Sequence, residues 1–117
     1  MNLKTYYWYF SSVLSPEFCD RLIEHANNKK EHLGVTGGLN KPPEKFTKKE
    51  LKEIRKKRRS NVVWMEDPWI YEAIQPFIHT ANKNAGWNFE WDWSETCQFT
   101  KYKKGQFYDW HCDSYEL

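Results

Sequence analysis

Gln98-Phe99-Thr100-Lys101-Tyr102-Lys103-Lys104-Gly105-Gln106-Phe107-Tyr108-Asp109-Trp110-His111-Cys112-Asp113 is the stretch on which the reading of this chain turns. Cys97 to Tyr102 reads as a strand, Lys103-Lys104-Gly105 as a tight turn, and Phe107 to His111 as a second strand. Side chains alternate along a strand, so His111 and Asp113 are expected on one side and Cys112 on the other, as a small buried residue. An imidazole nitrogen and a carboxylate oxygen presented together make two-thirds of a 2-His-1-carboxylate facial triad. That ligand set suits Fe(II) because it leaves coordination positions open. His-x-Asp is also a common hydrogen-bonded surface pair, so the weight falls on what surrounds it.

Immediately upstream, Trp87, Phe89, Trp91 and Trp93 alternate with Asn88, Glu90 and Asp92, the period of a strand. Before that, Asp67-Pro68 supplies a cap and a first-turn proline. Ile70, Ala73, Ile74, Phe77, Ile78 and Ala81 then trace a helical stripe, with Pro76 expected to kink or split it near Gln75 and Asn84-Ala85-Gly86 to end it. Ser60 to Met65 is a strand candidate. Helices therefore come first and an antiparallel meander last, which argues for an α+β fold in one domain.

Further back, Tyr6 to Val13 is β-branched or aromatic at most positions and reads as a strand. Ser15-Pro16-Glu17 opens a helix that carries Phe18, Leu22, Ile23 and Ala26 on one face and runs to about Asn28. Residues 29–46, with Gly34, Gly37, Gly38 and Pro42-Pro43, read as a loop. Thr47-Lys48-Lys49-Glu50 has capping-box spacing for a short polar helix to about Lys57, a flap rather than a core element. Between Lys45 and Arg59 nine Lys or Arg stand against two Glu. This is either a solvated helix or a basic surface for an anionic substrate or nucleic acid.

Composition narrows the class. Seven Trp, seven Tyr and seven Phe bring large burial per residue to a chain of 117 residues, enough for one small core. With 29% charged residues and no apolar run near the ~20 residues a spanning helix needs, a membrane protein is excluded. The N-terminus lacks the features of a signal peptide, and Cys19, Cys97 and Cys112 show no CxxC spacing. A reducing, cytoplasmic setting without disulfides is expected. His25, His32 and His79 read as solvated or hydrogen-bonded rather than as ligands.

The Tyr102-ending strand, the Gly105 turn and the aromatic strand leading into His111-Cys112-Asp113 resemble the prolyl/lysyl-hydroxylase branch of the iron(II)/2-oxoglutarate-dependent oxygenases. Arg58-Arg59-Ser60 with Val62-Val63-Trp64 is similar to that family's Arg-x-Ser strand. The resemblance spans residues 58–113 and, more loosely, the N-terminal helix. It implies N-terminal helices packed on the first strands of a double-stranded β-helix (jelly roll), with residues 87–113 opening the catalytic β-core and residues 30–58 a flexible lid.

The same resemblance implies site roles. His111 and Asp113 would be the first two iron ligands, Tyr102 would hydrogen-bond 2-oxoglutarate, and Arg58 and Ser60 would line the substrate groove. Fe(II), 2-oxoglutarate and O2, with ascorbate as a further cofactor, would then serve a dioxygenase that hydroxylates a prolyl or similar peptidyl side chain. The family's second His ligand and its Lys or Arg for the distal carboxylate come later, whereas only Ser114-Tyr115-Glu116-Leu117 follow Asp113 here. The jelly roll is accordingly expected to be incomplete and this stretch alone inactive. Two alternatives stand beside this reading. One is a non-enzymatic binding module using the basic Lys45–Arg59 segment and the aromatic surface, with nucleic acid as a partner; the other is a cupin-like metal protein.

Overall fold

Ser15 starts the first helix as its sequence requires. Its Oγ accepts from Phe18 N at 3.1 Å, and Pro16 occupies the first turn, where its missing N–H is not needed. This helix, α1 (Pro16–Asn27), buries Ala26 and leaves Cys19 exposed. The structure, a computed structural model, describes residues 5–35 and 43–113. These form an α+β fold of three α-helices and five short strands, a count that holds for the described residues. Residues 36–42 of the expected Gly- and Pro-rich loop lie outside them.

The chain gathers into two compact units, Met1–Asn28 with Met65–Cys97, and Lys29–Trp64 with Gln98–Leu117. The first unit holds α1 and the helix α3 (Pro68–Asn84). Ile70 and Ala85 are buried in it, so the apolar stripe read from the sequence does face inward at its first member. The helix is not split at Pro76. Pro76 and Glu72, whose carbonyl loses its partner to the proline ring, are both exposed, so water can satisfy that carbonyl. Asp67 does not cap α3 with its side chain; its Oδ2 instead meets His25 Nε2 at 2.9 Å.

Two expected strands of this unit are irregular instead. Residues 6–13 pair with no strand among the described residues, Ser12 turns the backbone at φ 54, and Tyr6, Tyr7 and Tyr9 stand exposed. Aromatic content alone does not make a strand where no edge accepts its hydrogen bonds. In Trp87–Trp93 the backbone is claimed by a side chain: Asn82 Nδ2 donates to Phe89 O and Asn82 Oδ1 accepts from Phe89 N, each at 2.9 Å. Asn88 sits at φ 56, which breaks any extended run. The segment is tied down further by Tyr71, whose hydroxyl donates to Glu95 O (2.9 Å) and accepts from Cys97 N (3.2 Å). Burial pushes the Tyr71 phenol above its ordinary pKa.

The second unit begins with β1 (His32–Leu33), a short strand where the sequence suggests loop. It continues through α2 (Lys48–Lys57), β2 (Arg58–Arg59), β3 (Asn61–Met65), β4 (Cys97–Lys101) and β5 (Phe107–Tyr108). Thr47 caps α2 with both halves of the capping box: Thr47 Oγ1 accepts from Glu50 N at 3.1 Å and Thr47 N donates to Glu50 Oε1 at 3.2 Å. Although strongly basic, α2 buries Ile54 to 2% exposure, so the expected flap carries a core residue. Strands order β1-β3-β4 in one sheet, with His32 opposite Val62, and β2-β5 in a second, with Arg58 opposite Tyr108. The run 58–65 changes sheets at Ser60, which is buried with Arg58, Val62 and Val63. The meander expected after Cys97 is therefore interrupted. The Gly105 turn forms, with φ 83 and Gln106 N donating to Lys103 O at 2.9 Å, but the strand after it is short and pairs with β2.

Candidate functional site

His111 and Asp113 lie beyond β5, not on a strand, yet the structure brings them together. His111 Nε2 is 3.1 Å from Asp113 Oδ1, and His111 Nδ1 is 2.7 Å from Asp109 O. A carbonyl oxygen only accepts, so Nδ1 carries the proton of the neutral ring and Nε2 presents its lone pair. Nε2 then faces a carboxylate oxygen, and two acceptors at that separation need a second proton or a cation between them. A nitrogen and an oxygen donor 3.1 Å apart also match neighbouring positions on a six-coordinate ion with bonds of about 2.1 Å. The donor set thus fits Fe(II) at two positions. Among the described residues no group of three or more His, Cys, Asp or Glu could hold a metal. Cys112, expected to be buried, is exposed, because the chain here has left the sheet that would have sorted its faces.

The His111 ring is held from below by Tyr108. Their rings stack at 3.6 Å between centroids with 12° between planes, and the Arg58 guanidinium lies 4.5 Å from the Tyr108 ring centre. Arg58 is 5% exposed and is satisfied internally. Its Nε donates to Ser60 Oγ at 2.7 Å, Nη1 to Val35 O at 3.0 Å and Nη2 to Gln98 Oε1 at 3.1 Å. It is therefore not part of the solvated surface of the Lys45–Arg59 run. Arg58 is a buried clamp joining β2, β4 and the segment after β1, and through Tyr108 it fixes the backbone from which His111 projects. Ser60 lines an open basic cleft beside Arg55 and Arg59. Tyr102 follows β4 directly, is half exposed, and its hydroxyl has no hydrogen-bond partner among the described residues.

Sequence reasoning missed two contributors. Gly34 passes so close to the Arg58–Ser60 pair that a Cβ there would lie 2.1 Å from Ser60 Oγ, a requirement that only tertiary contact reveals. The second is the Tyr108–His111 stack, for which the three-residue spacing of the two rings is the only signal in the sequence. Trp110, between them, is fully exposed at 100%.

Glu31 and Lys101 form an ion pair at 2.8 Å, partly shielded from solvent. The Lys101 ammonium holds the Glu31 carboxyl below its ordinary pKa, against a smaller opposing effect of burial. A carboxyl depressed in the folded state contributes stability above its unfolded pKa and loses it as pH falls through the folded value. Denaturation midpoints followed from neutral to strongly acidic pH should therefore fall less steeply in Glu31→Gln than in the parent. Parallel profiles would show that the pair is inert.

No helix among the described residues is long and apolar enough to cross a membrane. The three cysteines are free thiols. Comparison of the chain with protein-family models, with curated proteins and with solved structures gave no match.

Proposed function

We propose that this chain carries the opening part of an iron(II)- and 2-oxoglutarate-dependent dioxygenase domain, with His111 and Asp113 as two of its protein ligands. The observation that carries the reading is the 3.1 Å approach of His111 Nε2 to Asp113 Oδ1 while Nδ1 is committed to Asp109 O. This is the arrangement in which a metal-binding histidine is oriented by a backbone carbonyl behind it. The α+β fold, in which α3 directly precedes β4 and β5, is compatible with a helix leading into a jelly roll whose first strands are β4 and β5. Tyr102, with a free hydroxyl after β4, would donate to 2-oxoglutarate. Arg58 would act by positioning Tyr108 and His111, and Ser60 by accepting from the Arg58 guanidinium at its Oγ.

When bound, iron with 2-oxoglutarate and O2 supplies oxidising power for hydroxylation of an unactivated C–H bond, here of a prolyl or similar peptidyl side chain. The chain's own residues bind, orient and exclude water. Two protein ligands hold a divalent ion far more weakly than three, so His111 and Asp113 by themselves are expected to bind Fe(II) loosely.

Mn(II), used as a paramagnetic stand-in under conditions where Fe(II) oxidises, gives the direct test. Its addition should broaden the NMR signals of His111 and Asp113 first, and Asp113→Asn should abolish that selectivity. Broadening that is absent at these residues, while His111 responds to protons alone, would identify an ordinary ion pair. A tight stoichiometric Fe(II) complex that makes succinate would overturn the two-ligand reading.

A further inference from the structure

A basic cleft of about 490 Å³ opens on the second unit, lined by Arg55, Arg59, Ser60, Lys104, Gly105 and Gln106 together with one leucine. We propose that it is a binding site for a phosphomonoester, independent of the metal pair.

Its charge is one-sided. Three cations line it and no carboxylate does. Lys56 and Lys101 are paired with Glu53 and Glu31, whereas Arg55, Arg59 and Lys104 make no ion pair among the described residues. Like charges gathered without counter-charges repel one another, and an anion among them removes that repulsion as it binds.

The donors are also held in place. Arg59 Nε donates to Arg55 O at 3.3 Å and its guanidinium lies 5.9 Å from the Phe107 ring centre, which leaves both terminal amino groups uncommitted. A guanidinium anchored at Nε presents a preset fork to an oxyanion, with little ordering left to do on binding. The adjacent Arg58 makes the contrast, because its fork is already filled by protein acceptors. Gln106, which also lines the cleft, fixes the turn: its Nε2 donates to Asn61 Oδ1 at 3.0 Å and its Oε1 accepts from Lys103 N at 2.7 Å. That holds Lys104 and Gly105 at the rim, where nothing lies within 4 Å of the position a Gly105 Cβ would take.

Three cations favour a dianion over a monoanion, which selects a phosphomonoester over a carboxylate or a phosphodiester. The volume exceeds that of one phosphate group and falls in the range of small-molecule sites, so an organic remainder fits beside it.

Inorganic phosphate at low ionic strength is the probe, followed by NMR of arginine Nε–H groups and backbone amides. Saturable shifts are expected at Arg55, Arg59 and Gly105, with affinity rising as phosphate passes from monoanion to dianion around pH 6–7. Arg55→Gln and Arg59→Gln should each weaken binding by about tenfold, the loss of a charge-assisted pair. Lys56→Gln should not. Should Arg59→Gln fail to fold, Lys104→Gln on the exposed turn should still weaken binding by about threefold or more. Shifts that never saturate, or that survive Arg55→Gln and Lys104→Gln, would overturn the site. So would an oligodeoxythymidylate that binds more tightly than phosphate dianion, since that would assign the cations to a polynucleotide backbone.

Discussion

Replacing Gly34 by alanine is expected to cost the fold about 2–4 kcal/mol, read as a lowered urea midpoint. The added Cβ would stand 2.1 Å from Ser60 Oγ and 2.9 Å from Arg58 Nε, so the hydrogen bond between those two atoms has to open or the backbone has to retreat. Neither is cheap. Gly34 N donates to Ser60 O at 2.9 Å, which holds the two segments together, and both Ser60 and Arg58 are buried. Gly105→Ala is the informative control. Its φ of 83° makes any side chain costly by about 1–2 kcal/mol, yet space around it is open. Ser60→Ala should relieve part of the Gly34→Ala penalty, giving a coupling of about 1 kcal/mol in the double-mutant cycle. A Gly34→Ala protein as stable as its parent would mean that this close approach is not part of the fold.

The second large effect is expected at Arg58. Alanine there should destabilise by about 3–5 kcal/mol, because Val35 O, Gln98 Oε1 and Ser60 Oγ lose a charge-assisted donor in a buried setting. Lysine should recover only part of this: an ammonium keeps the charge but cannot serve three acceptors in the geometry of a planar fork. A functional consequence follows from the stack. With the guanidinium gone from the Tyr108 ring, the ring loses a cation–π partner and His111 its fixed support, so the selective Mn(II) broadening at His111 should weaken in Arg58→Lys even where the protein remains folded. Arg58→Lys with unchanged stability and unchanged broadening would remove Arg58 from any positioning role.

How much of this was legible in the sequence depends on how local each signal was. Ser15-Pro16 and Thr47-x-x-Glu50 specify helix starts within four residues, and both form as read. Gly105 is the residue a left-handed turn position needs, and the turn is there. Tyr6–Val13 and Trp87–Trp93 carried strand composition or strand period, but a strand exists only through a partner. In the second case the Asn82 amide takes the backbone groups that a partner would have used. Burial misled in the same way. Arg58 looked like one more charge in a solvated run of cations, and only the acceptors brought from residues 35, 60 and 98 explain why it is inside.

For the candidate metal pair the sequence determined the donors and their nearness: two residues apart, His111 and Asp113 can meet whether or not a strand carries them. It also determined the helix caps, the Gly105 turn and the excess of positive charge before Ser60. Tertiary structure decided which nitrogen of His111 faces the carboxylate, through Asp109 O and the Tyr108 ring. It decided that Arg58 is a clamp while its neighbour Arg59 turns its fork outward, and that Lys104 joins Arg55 and Arg59 at one cleft. The division has a physical cause. Caps and turns close hydrogen bonds within a few residues, whereas the partners of a buried guanidinium or of a charged cleft come from segments that only folding brings together.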